Sequence, residues 1–261
     1  MKTVTDHLGR EISFSFPPKK IVSFAPAITQ TLYSLQLDDE IVGRTRFCKY
    51  PQDKVAKALN VGGTKDFKID RIHSLKPDLI IMEKEENTEE MVKELEKHYP
   101  VYVFEIQSVD NAFRMITDLG TITDRNLQAE SLSNGIRAML DTLPRQFKGE
   151  KAAYVIWQRP YMVAGNRTYI NSVLETLGFE NPFTTYEGRY PTVTEKDFAQ
   201  EHLDYIFLAT EPFPFQESHV EQFKEQFPEA IVKRIDGEMF WYGAMMLDAV
   251  PYFTSFFKQE K

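Results

Sequence analysis

The sequence predicts an α/β protein of two Rossmann-like lobes, each with a mostly parallel sheet, joined by a single long backbone helix. Short apolar runs alternate with helical patterns in both halves of the chain, and one long helical stretch separates the halves. Strands that alternate with helices form parallel sheets covered on both faces. The predicted bounds are residues 1–107 for the first lobe, 108–143 for the helix and 144–261 for the second lobe.

In the first lobe, apolar runs of strand length are separated by segments with apolar residues at helical spacing. Pro26 follows the first run, where the first turn of a helix tolerates proline. Gly62 and Gly63 indicate a turn, and Pro77 ends a later helix because the residue before a proline disfavours helical geometry. The predicted strands are Ile21–Phe24, Ile41–Arg44, Leu79–Met82 and Val101–Ile106, and the helical patterns run through Ile28–Leu35, Ile69–Leu75 and Met91–His98.

The stretch from Ser108 to Asp141 contains no proline, and most of its apolar residues recur at steps of three or four. A continuous helix of this length would span roughly 50 Å, which is too long for a crossover between neighbouring strands. Thr123 and Asp124 could cap a second helix. An interruption at these residues is therefore the alternative to one continuous helix.

After Pro144 and Gly149 the alternation of strands and helices resumes, which predicts the second α/β lobe. Gly178 ends the first helical pattern of this lobe, as glycine commonly does. The predicted strands are Ala152–Trp157, Tyr205–Ala209 and Ile231–Ile235, and the helical patterns are Tyr169–Leu177, the segment around Phe198, Val220–Phe227 and Ala244–Phe257.

The composition excludes several classes of function. A formal net charge of −8, with basic residues scattered along the chain, argues against nucleic-acid binding, because phosphates are bound by clustered Lys and Arg. No segment approaches the roughly 20 apolar residues of a membrane-spanning helix. The sequence also lacks the Gly-x-Ser-x-Gly, P-loop, Gly-x-Gly-x-x-Gly and His-Glu-x-x-His motifs of common enzymes, so no catalytic residue is predicted.

Two segments of the first lobe resemble those of a known family. Lys20–Thr29 (KIVSFAPAIT) is similar to the opening of the helical-backbone substrate-binding proteins that serve ABC importers of cobalamin, haem and ferric siderophores. Ile69–Ile81 (IDRIHSLKPDLII) resembles the family's succession of a helix, Leu-Lys-Pro-Asp and an apolar strand. The resemblance extends over nearly the whole chain and is closest to the cobalamin-binding branch. It implies a ligand held in a cleft between the two lobes.

Several loops resemble one subgroup of that branch, which is often encoded without an export signal. Ligands of open α/β sheets bind outside the carboxyl ends of the strands, and these loops follow predicted strands. The matching segments are Arg46–Cys48, Gly62–Lys65, Lys84–Asn87, Glu211–Phe215 and Gly237–Gly243.

These loops and the one after Ala152–Trp157 supply the predicted ligand-binding residues. Their aromatic rings could stack on a planar macrocycle, or fill the cores instead. By the resemblance, Thr64, Tyr161, Tyr190 and Glu238 lie near positions that contact the corrin. Arg46 and Lys65 could pair with ligand carboxylates or phosphate, or remain surface charges. The full set is Arg46, Phe47, Cys48, Thr64, Lys65, Trp157, Tyr161, Tyr190, Phe213, Glu238, Phe240, Trp241 and Tyr242.

Cys48 is the sole cysteine of the chain. Its sulfur could contact the ligand or coordinate the metal of a tetrapyrrole; alternatively, it packs as a small apolar residue. No second Cys or His stands at metal-site spacing, so no metal site formed by the protein alone is predicted. His73 and His98 are predicted on solvated helix faces.

The resemblance also implies two docking positions, since importer receptors of this family carry one surface carboxylate on each lobe that pairs with permease arginines. Asp70 occupies this position in the first lobe. In the second lobe Lys196 stands where the acid is found, flanked by Glu195 and Asp197. A cation there would repel an arginine, so Glu195 is the predicted docking carboxylate on this side.

The predicted function is reversible capture of a small-molecule metal chelate, namely a cobalamin-like, haem or ferric-siderophore ligand. The protein is expected to act as a monomer, without an intrinsic cofactor, and with an ABC permease as partner. One alternative is a cytoplasmic corrinoid or tetrapyrrole carrier or sensor without a transporter, and another is a tetrapyrrole-processing enzyme. The segment after Met1 has no apolar export-signal core. The location is therefore periplasmic or membrane-associated if a signal was removed, and cytoplasmic if Met1 is the native start.

Overall fold

The predicted strands lie in two separate five-stranded sheets, which confirms the α/β class with two lobes and mostly parallel sheets. The computed structural model describes residues 1–144 and 146–258. The chain divides into a first unit of residues 1–106, 110–138 and 242–245, and a second unit of residues 107–109, 139–241 and 246 onward. Arg145 and residues 259–261, which the sequence places in the second lobe, lie outside the described residues.

The first unit begins with an antiparallel hairpin and continues into a parallel sheet. The hairpin consists of β1 (Lys2–Thr5) and β2 (Glu11–Phe14), and the sheet of β3 (Ile21–Ser23), β4 (Ile41–Thr45), β5 (Leu59–Gly62), β6 (Leu79–Glu83) and β7 (Val101–Phe104). Across the sheet the order is β5, β4, β3, β6, β7. The chain therefore switches sides between β3 and β6, the place where open sheets bind ligands.

Four helices connect the strands of the first unit, and their ends follow the local sequence. They are α1 (Pro26–Ser34), α2 (Gln52–Val55), α3 (Ile69–Leu75) and α4 (Glu89–Leu95). Pro26 stands in the first turn of α1, where its missing N–H costs no hydrogen bond. Helix α3 ends at Lys76, whose φ of 51° is left-handed, directly before Pro77. Thr88 accepts a hydrogen bond from the Met91 amide at the start of α4, the usual role of a threonine at a helix N-cap.

The predicted connecting helix is present as two segments, α5 (Val109–Thr123) and α6 (Asn126–Leu140). The alternative of an interruption at Thr123 and Asp124 is confirmed, because Asp124 adopts a left-handed φ of 61°. The two helices approach closely there: a Cβ added to Gly120 would lie 2.5 Å from the Ala129 Cβ. The glycine therefore permits the sharp change of direction.

The second unit contains a mixed sheet in the order β10, β9, β8, β11, β12, with β8, β11 and β12 parallel and β9 and β10 antiparallel. The strands are β8 (Ala152–Trp157), β9 (Tyr161–Val163), β10 (Thr192–Val193), β11 (Tyr205–Ala209) and β12 (Ile231–Ile235). The helices are α7 (Tyr169–Leu177), α8 (Glu195–Glu201), α9 (Glu217–Gln226) and α10 (Met246–Lys258), and short 3-10 helices span Pro182–Thr185, Gly237–Phe240 and Gly243–Met245.

Most aromatic side chains fill the cores. This agrees with one of the two interpretations of the sequence, in which the aromatic rings pack in the cores instead of stacking on a ligand. In the second unit the rings of Phe147, Phe179, Tyr205 and Phe257 pack with centroids 4.0–5.6 Å apart, the range of favourable aromatic contacts. In the first unit an aliphatic cluster that includes Val22, Ile80 and Val103 is buried against one face of the sheet. None of the helices within the described residues is long and apolar enough to cross a membrane.

Candidate ligand-binding site

The loops that follow β3, β5 and β6 meet at the carboxyl edge of the first sheet, where Asn87 joins them. The buried Asn87 amide donates to the carbonyl of Phe24, after β3, at 3.2 Å, and to the carbonyl of Thr64, after β5, at 2.9 Å. Its side-chain oxygen accepts from the Glu83 N–H at 2.8 Å. One side chain therefore fixes three neighbouring loops.

Arg46 and Phe47 lie together on the turn after β4. Asp66 accepts two hydrogen bonds from Arg46, at 2.9 and 2.8 Å, and this pairing raises the pKa of Arg46 and lowers that of Asp66. The Arg46 guanidinium lies 4.8 Å from the centroid of the Phe47 ring. A Cβ added to Gly63 would lie 2.7 Å from this guanidinium, so the glycine makes room for it. Arg46 is thus an exposed charge in a fixed orientation.

Lys65 connects the loops after β5 and β6. Its ammonium group donates to the carbonyl of Glu85 at 2.6 Å. Lys84, on the same loop as Glu85, pairs with Glu105 after β7 at 2.6 Å. The carboxyl edge of the first sheet is therefore cross-linked by polar contacts from β3 to β7.

Glu83 is a buried carboxylate at the end of β6, only 2% exposed. One of its oxygens accepts from the N–H groups of Glu85 and Glu86, at 2.7 and 2.9 Å, and the other from the N–H of Ile106, at 3.3 Å. Burial raises its pKa to about 7, against the opposing effect of the backbone hydrogen bonds. The side chain therefore changes charge near neutral pH.

We expect Glu83 to make the protein less stable as pH rises. The carboxyl ionises near 4.5 in the unfolded chain and at about 7 in the folded chain, so the folded state binds more protons between these values. The resulting stabilisation is fully present below pH 4.5 and is lost as pH rises through 7. Its size is about 3 kcal/mol.

This dependence is measured by urea unfolding at pH 5 and pH 8. Glu83→Gln is expected to remove the Glu83 contribution, whereas Glu130→Gln, at an exposed position on α6, should leave the wild-type difference unchanged. An equal pH dependence in wild type and Glu83→Gln would contradict the assignment of this titration to Glu83.

Cys48 is buried behind the same edge, with 4% exposure. Its sulfur lies 3.2 Å from the Thr29 hydroxyl and 3.3 Å from the Thr45 hydroxyl, and burial raises the pKa of the thiol. A neutral, enclosed thiol favours the packing alternative over metal coordination, which requires a thiolate.

In the second unit, Trp157 and Phe213 lie at the carboxyl ends of β8 and β11. Their rings meet edge to face at 5.6 Å, and Phe213 in turn contacts the buried Phe215 at 4.7 Å. The contact with Phe213 holds the Trp157 ring in place, while 40% of Trp157 remains exposed.

The loops after β11 and β12 are joined by Glu211 and Trp241. The indole N–H of Trp241 donates to the Glu211 carboxylate at 2.5 Å. A Cβ on Gly237 would lie 2.5 Å from the Glu211 Cγ, so this glycine lets the two loops pack together. Trp241 is therefore a fixed, half-buried ring beside the strand ends.

The other predicted aromatic residues differ in their exposure. Phe240 is buried against Tyr154 and Phe253 at 4.4 and 5.2 Å, and Tyr161 packs on Phe198 and Phe223 in the core of the second unit. For these two residues the structure favours the core alternative. Tyr190, Glu238 and Tyr242 are half-buried, and Tyr242 groups with the first unit.

Phe47 and Trp157 are the exposed aromatic side chains of the described chain, 44% and 40% accessible. Each stands at the carboxyl end of a strand, one in each unit, and both belong to the predicted ligand-binding set. Exposing a large aromatic ring forgoes the stabilisation of burying it, so these positions are suited to a partner that covers the ring.

The predicted docking carboxylates lie in the first turns of two helices. Asp70, on α3, and Glu195, on α8, are both exposed. Asp197 instead closes a capping box with Thr194, whose amide donates to it at 2.7 Å. Of the two acids beside the exposed Lys196, Glu195 is thus the one not used by the cap. No group of three or more His, Cys, Asp or Glu within residues 1–144 and 146–258 is placed to hold a metal ion.

Neither Glu83 nor Asn87 is among the predicted ligand-binding residues. Asn87 ends the matching segment Lys84–Asn87, and Glu83 directly follows the predicted strand Leu79–Met82. The only sequence feature that points to Glu83 is its position directly after the apolar run Leu79–Met82. A carboxylate at the end of a buried strand is itself expected to be buried, and buried carboxylates need hydrogen-bond donors.

Comparison with known proteins agrees with the fold described above. The vitamin B12-binding protein of Vibrio campbellii is 24% identical over 198 residues, which cover 74% of this chain and 71% of the relative. The fold is similar to that of the periplasmic vitamin B12-binding protein BtuF of Vibrio cholerae (TM-score 0.80, 20% identity, 95% of this chain and 100% of that one). It is also similar to the periplasmic haem-binding protein RhuT of Roseiflexus sp. RS-1 (TM-score 0.73, 16% identity, 91% and 98%).

A family model described as periplasmic binding protein matches residues 21–235, which include every strand of both five-stranded sheets. This match covers most of the chain and the loops described above, except the loop after β12. The chain therefore belongs to the periplasmic binding protein family.

Proposed function

We propose that this chain is a non-catalytic solute-binding protein that captures a cobalamin-like, haem or ferric-chelate ligand with the loops at the carboxyl ends of its strands. The exposed rings of Phe47 and Trp157 at these ends are the observation that carries the proposal. The names of the relatives, vitamin B12-binding and haem-binding proteins, support the ligand class. The cleft that the sequence predicts between the lobes stays a prediction.

The chemistry of the loops suits large, partly planar ligands with polar edges. Aromatic faces stack on macrocycles, and the oriented Arg46 guanidinium and Lys65 ammonium can pair with carboxylates or phosphate at the ligand's periphery. Arg46 already shares its N–H groups with Asp66, so its position is set before a ligand arrives. Preorganisation of this kind lowers the entropic cost of binding.

The proposal assigns no nucleophilic role to the sole cysteine. Cys48 is buried and its pKa is raised by burial, which keeps the thiol protonated and unreactive. A bound ligand recovered chemically unchanged after prolonged incubation is the result expected of a binding protein.

Removal of either exposed ring is expected to weaken binding about 5–15-fold, since one stacking contact contributes about 1–1.5 kcal/mol. Cyanocobalamin, haemin and a ferric hydroxamate are titrated into wild type, Phe47→Ala and Trp157→Ala, and binding is followed by calorimetry and absorbance. Leu127→Ala serves as the control, because Leu127 is 79% exposed on α6 and should not affect affinity. The proposal fails if none of the three probes binds the wild-type protein.

We also propose Asp70 and Glu195 as the carboxylates that contact an ABC permease. A second candidate function, a carrier without a transporter, is favoured by the exposed Lys196 beside Glu195, which would repel a permease arginine. Copurification with an ABC permease of the same host in detergent, lost on Asp70→Lys, would support the importer role. Persistent failure to copurify, with ligand binding intact, would support the carrier.

A further inference from the structure

Glu83 and Asn87 hold the loops that carry the predicted ligand contacts Thr64 and Lys65. Asn87 bonds the Thr64 carbonyl at 2.9 Å, and Glu83 bonds the amide of Glu85 at 2.7 Å. The carbonyl of that same Glu85 accepts the Lys65 ammonium at 2.6 Å. The Thr64–Lys65 segment is therefore anchored through two buried side chains, in addition to the bonds between Asp66 and the Gly63 amide within its own turn.

We infer that Glu83 and Asn87 are positioning residues of the ligand site, and that protonation of Glu83 loosens the loop after β6 and weakens ligand binding. This inference rests on the proposed function, because it assumes that these loops contact the ligand. Neither side chain has to touch the ligand itself, since both act through backbone groups of the loops.

Protonation changes what Glu83 can bond. The ionised carboxylate accepts from three N–H groups, those of Glu85, Glu86 and Ile106. A protonated carboxyl has one hydroxyl oxygen, which presents a donor to an N–H that is itself a donor. The bonds to the oxygen that carries the proton are then weakened, which are the two bonds of the loop 84–87 if the proton is on Oε2 and the Ile106 bond if it is on Oε1.

The charged groups around Glu83 influence the pH at which it ionises. Glu85 and Glu86 on its own loop disfavour its charge. From the neighbouring segments, Glu105 after β7 is paired with Lys84, Lys65 after β5 is directed to the Glu85 carbonyl, and His7 after β1 bonds the Glu105 backbone. Lys84 and Lys65 are thus bound by other groups, and burial raises the pKa of Glu83 to about 7.

The test is the pH dependence of affinity, measured by calorimetry with cyanocobalamin (or with haemin or the ferric hydroxamate, whichever probe binds). If the protonated form binds poorly, affinity at pH 6 is expected to be about tenfold lower than at pH 8. In Glu83→Gln the two affinities should agree within about twofold. Asn87→Ala should weaken binding at both pH values and retain the wild-type ratio between the two affinities. Glu130→Gln, the control, should bind like wild type at both pH values.

A readout without ligand separates this inference from the proposed function. Amide hydrogen exchange of Glu85, Glu86 and Ile106, corrected for intrinsic rates, should show lower protection at pH 6 than at pH 8 in wild type and no such difference in Glu83→Gln. If no probe binds but protection changes in this way, the proposed function fails and the positioning role stands. If a probe binds and Glu83→Gln retains the wild-type slope, the positioning role is overturned.

Discussion

Replacement of Asp6 by alanine is expected to lower the free energy of unfolding by about 3–5 kcal/mol, because it removes a buried carboxylate that accepts hydrogen bonds from Arg10 and from three backbone N–H groups. The Asp6 side chain is fully buried and pairs with Arg10 at 2.7 Å. Its oxygens also accept from the backbone N–H groups of Leu8, Arg10 and Val103. Alanine would leave the three backbone N–H groups without their side-chain acceptor, whereas Arg10, which is partly exposed, would keep its pairing with Glu96 at 2.9 Å and its bond to the Val101 carbonyl at 3.0 Å.

Urea unfolding at pH 7 measures this effect, and two further variants divide it. Asp6→Asn retains an oxygen for the Leu8 and Arg10 amides and loses the charge, so we expect an intermediate loss. Asp39→Ala replaces an exposed aspartate of the same unit and should change stability by less than about 0.5 kcal/mol. A loss for Asp6→Ala no larger than for Asp39→Ala would show that the hairpin contributes little to the fold.

The contacts of Asp6 also show where sequence-based prediction ends. The sequence shows that Asp6 is charged but not which groups it bonds. One of its donors is the N–H of Val103, which lies 97 residues further along the chain. The hairpin of β1 and β2 was not predicted, nor were β5, β9 and β10. These strands contain two to four residues, too few to show a periodic pattern, and they form through pairing with neighbours.

Longer elements with clear terminators were predicted to the residue. Helices α3 and α7 and strands β8, β11 and β12 have the predicted bounds, because each combines an apolar pattern with a terminator or a change of period. Pro77 and Gly178 are such terminators. Gly178 is required in its place, since a Cβ there would lie 2.4 Å from the Phe147 carbonyl oxygen.

The candidate site was predicted at the level of loops but not of individual side chains. Loop positions follow from strand ends, and Phe47 and Trp157 are exposed there. The sequence could not distinguish them from Phe240, which is equally aromatic and also follows a strand. Phe240 turns back onto Tyr154, a contact that depends on the three-dimensional path of the loop. Whether an aromatic residue of a loop is exposed depends on the tertiary fold, whereas its position after a strand can be predicted from the sequence.

Gly243→Ala is expected to lower the free energy of unfolding by about 3 kcal/mol or more, from backbone strain and a steric clash together. Gly243 has a left-handed φ of 79°, and an added Cβ would lie 2.1 Å from the hydroxyl oxygen of Thr31 on α1. That hydroxyl is buried and accepts from the Ala244 N–H at 3.1 Å. The methyl group would displace Thr31 and break this bond.

The two contributions can be separated with a matched glycine. Gly149 has a φ of 100° and nothing within 4 Å of an added Cβ, so Gly149→Ala should cost only the conformational term, about 1 kcal/mol. Thr31→Ala in the Gly243→Ala background should recover part of the loss, because it removes the clashing oxygen. Equal losses for Gly149→Ala and Gly243→Ala would mean that the turn moves freely away from α1. The resemblance assigns the segment Gly237–Gly243 to the ligand site. Its last residue, Gly243, is required for folding because of the close contact with Thr31, whatever ligand the neighbouring residues bind.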